Sequence, residues 1–240
     1  MDERPTFRDR FDEFVRTRGF SNLHSISNEQ TRSKLMTRFY LEEVVRKLEP
    51  DLIPDDPEEL EEGIIDGAGD GGVDFISRQG AKVFIVQAKY HARKRDPEPK
   101  EFSNFREVLN RLFRPQREKL NDRLLEIISD IDWDADAFEL HFITLGKTND
   151  TMRNEETRGI NQVLGLGEMQ ERCDLTLFDE AGLNTRIRDA ISAGDNLKRP
   201  LVLRLPDGWI KFDEAGRSAY LGWISGAELS ALYDRVDARK

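Results

Sequence analysis

The chain has 240 residues, 38% hydrophobic and 35% charged, with 14 Phe and 3 Trp, enough apolar surface for a packed core and too much for wholesale disorder. A net charge of −10 counts at first against a nucleic-acid binder, and the single cysteine, Cys173, excludes an internal disulfide and a thiolate zinc cage. No apolar run reaches the ~18–20 residues that span a bilayer, and the opening MDERPTFRDRFDEF lacks the apolar stretch of a signal peptide, so a cytoplasmic protein without membrane contact is expected. In chain order, Phe7, Phe11, Phe14 and Val15 recur at helical spacing and predict an amphipathic helix over 7–18. A longer helix is expected from Thr31 to Leu48, until Pro50, Pro54 and Pro57 end it and open an acidic connection. A glycine-rich turn at 67–72 then leads into a strand at 73–77, a turn Arg78-Gln79-Gly80-Ala81 and a strand at 82–90, the clearest hairpin signal in the chain.

Beyond the hairpin, helices are expected at 101–113 and 116–129, strands at about 139–145, 174–178 and 201–205, and a helix near 181–193. Strands alternating with helices predict an α/β fold, or α+β, with a mixed central sheet flanked by helices. The expected division is a main domain over 1–206, its motif core at about 31–145, and a C-terminal appendage over 207–240 that opens at the turn Pro206-Asp207-Gly208.

Charge is distributed in blocks. Ten acids and no Lys or Arg fall between Asp51 and Asp74, whereas Lys89 to Lys119 holds ten bases against five acids. A divalent cation and a polyanion together would need such a pairing, although two solvated faces of opposite sign would also produce it. Two phosphate-binding patterns fail. Gly67 to Gly72 matches G-x-G-x-x-G, but an acidic segment precedes it and a strand follows it, so no helix N-terminus meets a pyrophosphate. Gly146-Lys147-Thr148 resembles a P-loop tail, but His141 stands where the earlier glycine is required.

The stretch from Asp66 to Asp74, followed by Val86-Gln87-Ala88-Lys89-Tyr90, carries more information. Strand alternation puts Gln87 and Lys89 on one face. If Ser77 pairs with Lys82, Asp74 lies opposite Ile85 and joins that face. A carboxylate and an amide oxygen there suit Mg²⁺, which makes a bound water more acidic, and an ammonium offsets charge on a phosphate in the transition state. As bare spacing, the same residues also fit a glycine-rich turn beside a strand with a surface Gln and Lys.

DGAGDGGVDFI followed by VFIVQAKY resembles the PD-(D/E)xK nuclease superfamily, in the Mrr-like branch where Gln replaces the second acid. It is closer still to the N-terminal region of abortive-infection phage-resistance (AIPR) proteins, in which an acidic helix, a D-G-x-x-D-x-G-I-D strand and a Q-x-K-Y strand follow one another. The pattern runs here from about Asp55 to Tyr90, and AYLGWISGAELSALYDR (219–235) resembles their continuation less specifically, as the start of a larger region. The resemblance implies a restriction-endonuclease-like core and an Mg²⁺-dependent (or Mn²⁺-dependent) endonuclease in antiphage defence, acting on DNA rather than RNA and capable of forming a homodimer. Asp74 matches the metal-binding aspartate, Gln87 the second-acid position, Lys89 the catalytic lysine, and Asp66 and Asp70 the supporting acidic turn. The family also uses a glutamate from the preceding helix. Glu42 and Glu43 are adjacent there, and helical projection puts Glu43 on the apolar side among Met36, Phe39 and Tyr40, which selects it as the third metal ligand. Arg106, Asn110 and Arg114 recur every four residues and are expected to meet nucleic-acid phosphates. Because Gln87 is neutral, the alternatives are a catalytically inactive module of the same fold that binds nucleic acid, and one that binds a protein partner.

Overall fold

Phe7, Phe11 and Val15 are fully buried along α1 (Phe7–Thr17), where Phe7 and Phe11 pack against the Phe39 ring at 4.9 and 5.4 Å. A capping box at Thr6 and Asp9 starts this helix. The computed structural model describes residues 5–65, 72–90, 96–113, 120, 122–158, 171–198, 209–214 and 217–222. Helix α2 (Glu29–Tyr40) begins two residues before the expected Thr31, because the Asn28 side chain accepts from the N–H groups of Gln30 and Thr31. It passes through a π-helical turn, Leu41–Val45, into the short α3 (Arg46–Leu48). The acidic connection itself contains α4 (Pro57–Glu62), started by an Asp56 cap with Pro57 in the first helical position.

The hairpin forms from β1 (Phe75–Gln79) and β2 (Lys82–Lys89), with a register that differs from the expected one. Gln79 pairs with Lys82 and Ser77 with Phe84, so two residues, not four, make the turn. Gly80 supplies the reason, since its φ of +60° suits the first position of a tight two-residue loop. Arg78, expected in the turn, is a strand residue anchored at 2.6 Å to the buried carboxylate of Asp136.

Strands β3 (Ala137–Thr144) and β4 (Cys173–Phe178) add in parallel, giving a mixed four-stranded sheet in the order β1-β2-β3-β4. Side chains of alternate parity feed two cores. Phe75, Phe84, Val86, Ala88 and Ile143 pack with α1, α2 and the Leu183 and Ile187 positions of α9 (Glu180–Lys198). Ile76, Val83, Ile85, Leu140 and Phe142 pack with α5 (Pro99–Arg106), α6 (Val108–Phe113), α7 (Asp122–Ser129) and Met152 of α8 (Asp150–Arg158). A sheet covered by helices on both faces is the α/β arrangement that the alternating elements predicted. The single helix expected at 101–113 divides at Glu107 into α5 and α6.

The chain divides into two compact units, Met1–Ile191 and Ser192–Lys240. In the second, β5 (Trp209–Glu214) and β6 (Arg217–Gly222) form an antiparallel pair. The expected strand at 201–205 and turn at 206–208 lie outside the described residues. Among the described residues, no helix is long and apolar enough to cross a membrane.

Candidate active site

The carboxyl end of β2 carries the site. Gln87 and Lys89 share the face of Val83 and Ile85 by simple alternation, while Val86 and Ala88 serve the opposite core. Asp74 arrives there by a different route from the expected one. Its N–H donates to the Val86 carbonyl at 2.9 Å, although Val86 pairs in the ladder with Phe75. Two residues of one strand thus meet one of the other, a bulge-like step that breaks the alternation at Asp74. The Asp74 carboxylate holds the position by accepting from the Ala88 N–H at 2.7 Å, next to Lys89. Its carbonyl accepts from Ile65 N–H at 3.1 Å, which ties the segment after α4 to this strand end.

Asp74 and Lys89 line one cleft of about 310 Å³, together with Glu29, Ser33 and Lys34 of α2 and Glu101 of α5. The docking of α2 is specific, because Ser33 Oγ accepts from the Tyr90 N–H at 3.2 Å and the Arg32 guanidinium lies over the buried Tyr90 ring at 5.4 Å. Glu101 closes a capping box, accepting from the Glu98 N–H at 2.9 Å. Clefts at the carboxyl ends of parallel strands are the usual ligand sites of open α/β sheets.

Gln87 is 5% exposed, and its Oε1 is buried with no hydrogen-bond partner among the described residues. An unsatisfied buried amide oxygen costs about 1–3 kcal/mol, a penalty that a bound cation would remove. Gly72, at φ +85°, passes close to the same amide. A Cβ there would stand 3.2 Å from Gln87 Nε2 and 3.2 Å from Arg111 Nη2, so the conformation favours glycine and any side chain would also press on both groups.

Three of the expected residues are therefore gathered at this strand end, and Glu43 is not. It forms an ion pair with Lys47 at 2.7 Å and lines a separate cleft with Arg10, Glu13, Phe14 and Phe39. Its neighbour Glu42 is held by Arg18 and Arg38. The turn of α2 that meets Tyr90, just past the end of β2, is the one bearing Ser33, and Glu43 stands ten residues further along, roughly 15 Å at the helical rise. Glu29 is the acid that α2 contributes to the cleft. The Asn28 cap was the available signal, since it extends the helix back to include Glu29.

The expected phosphate-binding stripe is corrected at Asn110. Asn110 is 7% exposed and donates to Glu107, and Arg106 is half-buried. The helix divides at Glu107, between Arg106 and Asn110. Arg114, Asp66 and Asp70 lie outside the described residues.

A second polar cluster occupies the other core. His141 Nε2 donates to Glu139 at 3.0 Å, which leaves Nδ1 to accept the Tyr40 hydroxyl at 3.0 Å. Ligand atoms of Glu49, Glu139 and His141 lie within 4.8 Å of one another. Arg186 nevertheless grips both oxygens of Glu49 and lies 4.7 Å over the Phe178 ring, so its guanidinium already supplies the cation. Burial raises the Tyr40 hydroxyl far above the ordinary range, and the hydrogen bond from His141 lowers the Glu139 carboxyl. Cys173 is pushed up to about 12 by burial and has no thiolate character to offer.

No protein-family profile matches the chain, nor does any curated protein or solved structure.

Proposed function

We propose that the chain is a metal-dependent endonuclease that hydrolyses nucleic-acid phosphodiester bonds, DNA in preference to RNA, in the cytoplasm and in antiphage defence, with a restriction-endonuclease-like core. One observation carries the reading: the buried amide oxygen Gln87 Oε1, without a partner among the described residues, lies on the same strand face as Lys89 two residues on, and Lys89 lines a cleft with Asp74. The PD-(D/E)xK and AIPR resemblance supplies the reaction class and the biological setting.

Asp74, Gln87 and Glu29 are the residues that would hold Mg²⁺ or Mn²⁺, with Glu29 in the place first assigned to Glu43. When bound, the ion supplies Lewis acidity to the phosphate and a more acidic water. The carboxylate of Asp74 is preset by the Ala88 N–H, so its orientation is established before any ligand arrives. Lys89 Nζ donates to the phosphate oxygens as negative charge grows on them. Overall, a water oxygen forms a bond to phosphorus and gives up a proton to solvent, the bond to the leaving sugar oxygen breaks, and that oxygen takes up a proton from solvent.

The test is incubation of the full chain with plasmid, single-stranded DNA and RNA in Mg²⁺, Mn²⁺ or EDTA. The expected result is metal-dependent cutting that D74A abolishes. Retention of nucleic acid without cutting under any metal would instead favour the inactive binding module, for which the neutral Gln87 speaks. Neither cutting nor retention would overturn both.

A further inference from the structure

We propose that Arg111 binds the phosphodiester backbone beside the bond being cleaved, a role that rests on the nuclease reading above. Arg111 is exposed on α6, and its guanidinium reaches the edge of the site. Its Nη2 and the Gln87 Nε2 both lie 3.2 Å from the single point where a Gly72 Cβ would stand, with Arg111 Cζ at 3.8 Å. The two groups are thus no more than twice that distance apart, next to a backbone that carries no side chain. The Asn104 carbonyl accepts from the same Nη2, which fixes the plane of the guanidinium. A planar fork of donors suits two phosphate oxygens at once, a geometry that an ammonium such as Lys89 does not offer.

The division of labour is specific. Lys89 acts on charge that develops during reaction, whereas Arg111 would hold charge already present in the substrate, so Arg111 belongs to binding. It takes over a contact expected from Asn110, which is buried.

The test uses the full chain with a short fluorescein-labelled DNA duplex and single strand. Arg111→Gln keeps an amide donor for Asn104 and removes the charge, and Arg111→Lys keeps the charge and removes the fork. The expected result for Arg111→Gln is a KM raised roughly ten-fold with kcat within about three-fold. Its salt dependence of binding should flatten by about one unit of slope, and Arg111→Lys should recover that slope but only part of the affinity. Parent-like KM and slope in Arg111→Gln overturn the proposal while leaving the nuclease reading intact, even if its melting temperature falls, because a purely structural arginine would move stability alone. A parent chain that neither cuts nor retains nucleic acid overturns both.

Discussion

Two polar clusters lie against opposite faces of the same sheet, and they are built on different terms. Around His141, each polar partner is answered: Nε2 meets Glu139, Nδ1 meets Tyr40, and Glu49 is clasped through both oxygens by Arg186. Around Gln87, an amide oxygen is buried without an answer among the described residues, and the Gly72 backbone passes close to that amide. The first cluster offers more metal-ligating atoms within reach of one another, yet it already contains its cation. The second offers fewer but, among the described residues, leaves an amide oxygen unpaired, a cost that an added group would remove.

The contrast can be broken most severely at Asp74. D74A should lower Mg²⁺-dependent plasmid cutting by at least about a thousand-fold, while chemical denaturation shows a loss of only about 1 kcal/mol for the bond from Ala88 N–H. K89A should slow cleavage by roughly 10²–10³ in kcat, with Mg²⁺ affinity by calorimetry preserved or tightened because a nearby positive charge is gone. The closed cluster should respond in the opposite sense. Arg186→Met leaves the Glu49 carboxylate half-buried and unanswered, which should cost about 2–3 kcal/mol of stability in a denaturant titration and leave the Mg²⁺ isotherm unchanged.

A finer comparison sets the two helix acids against each other. E29Q should weaken Mg²⁺ binding roughly ten-fold by calorimetry, and E43Q, whose carboxylate only meets Lys47, should not move it. The smallest expected effect is a pH dependence. Glu139 is depressed below its ordinary value of 4.5 by the hydrogen bond from His141, so its contribution to stability is fully present above that value and is given up as the pH falls through the lower, folded-state value. Thermal melts of the parent and of Glu139→Gln should therefore converge on acidification.

Local pattern was sufficient for much of this molecule. The facing of Gln87 and Lys89 follows from a period of two, which no tertiary contact alters within a regular strand. The α1 stripe of Phe7, Phe11 and Val15 was legible for the same kind of reason, a repeat of 3.6 residues that finds a core wherever one exists. Asp74 was identified as a residue but misplaced in register, because the length of the hairpin loop hung on the φ of Gly80 and on an anchor for Arg78 that comes from Asp136, far along the chain. Arg111 gave no pattern at all. Its meaning depends on α6 being laid beside Gly72, a proximity between residues with no shared period.

The helix acid marks the boundary most clearly. Periodicity around α2 could say that Glu43 shares a side with Phe39 and Tyr40, but every turn of a helix offers such a side, and rotation about an axis carries no information on position along it. The point of contact was set by the Tyr90 N–H meeting Ser33 and by Arg32 covering the Tyr90 ring, and these draw the first turns of α2, with Glu29, to the end of β2. Residue types, strand faces and helix faces are properties of short stretches and follow from backbone geometry. Which turn of which helix meets a strand end is settled by packing between distant segments, where burial and hydrogen bonding are satisfied jointly.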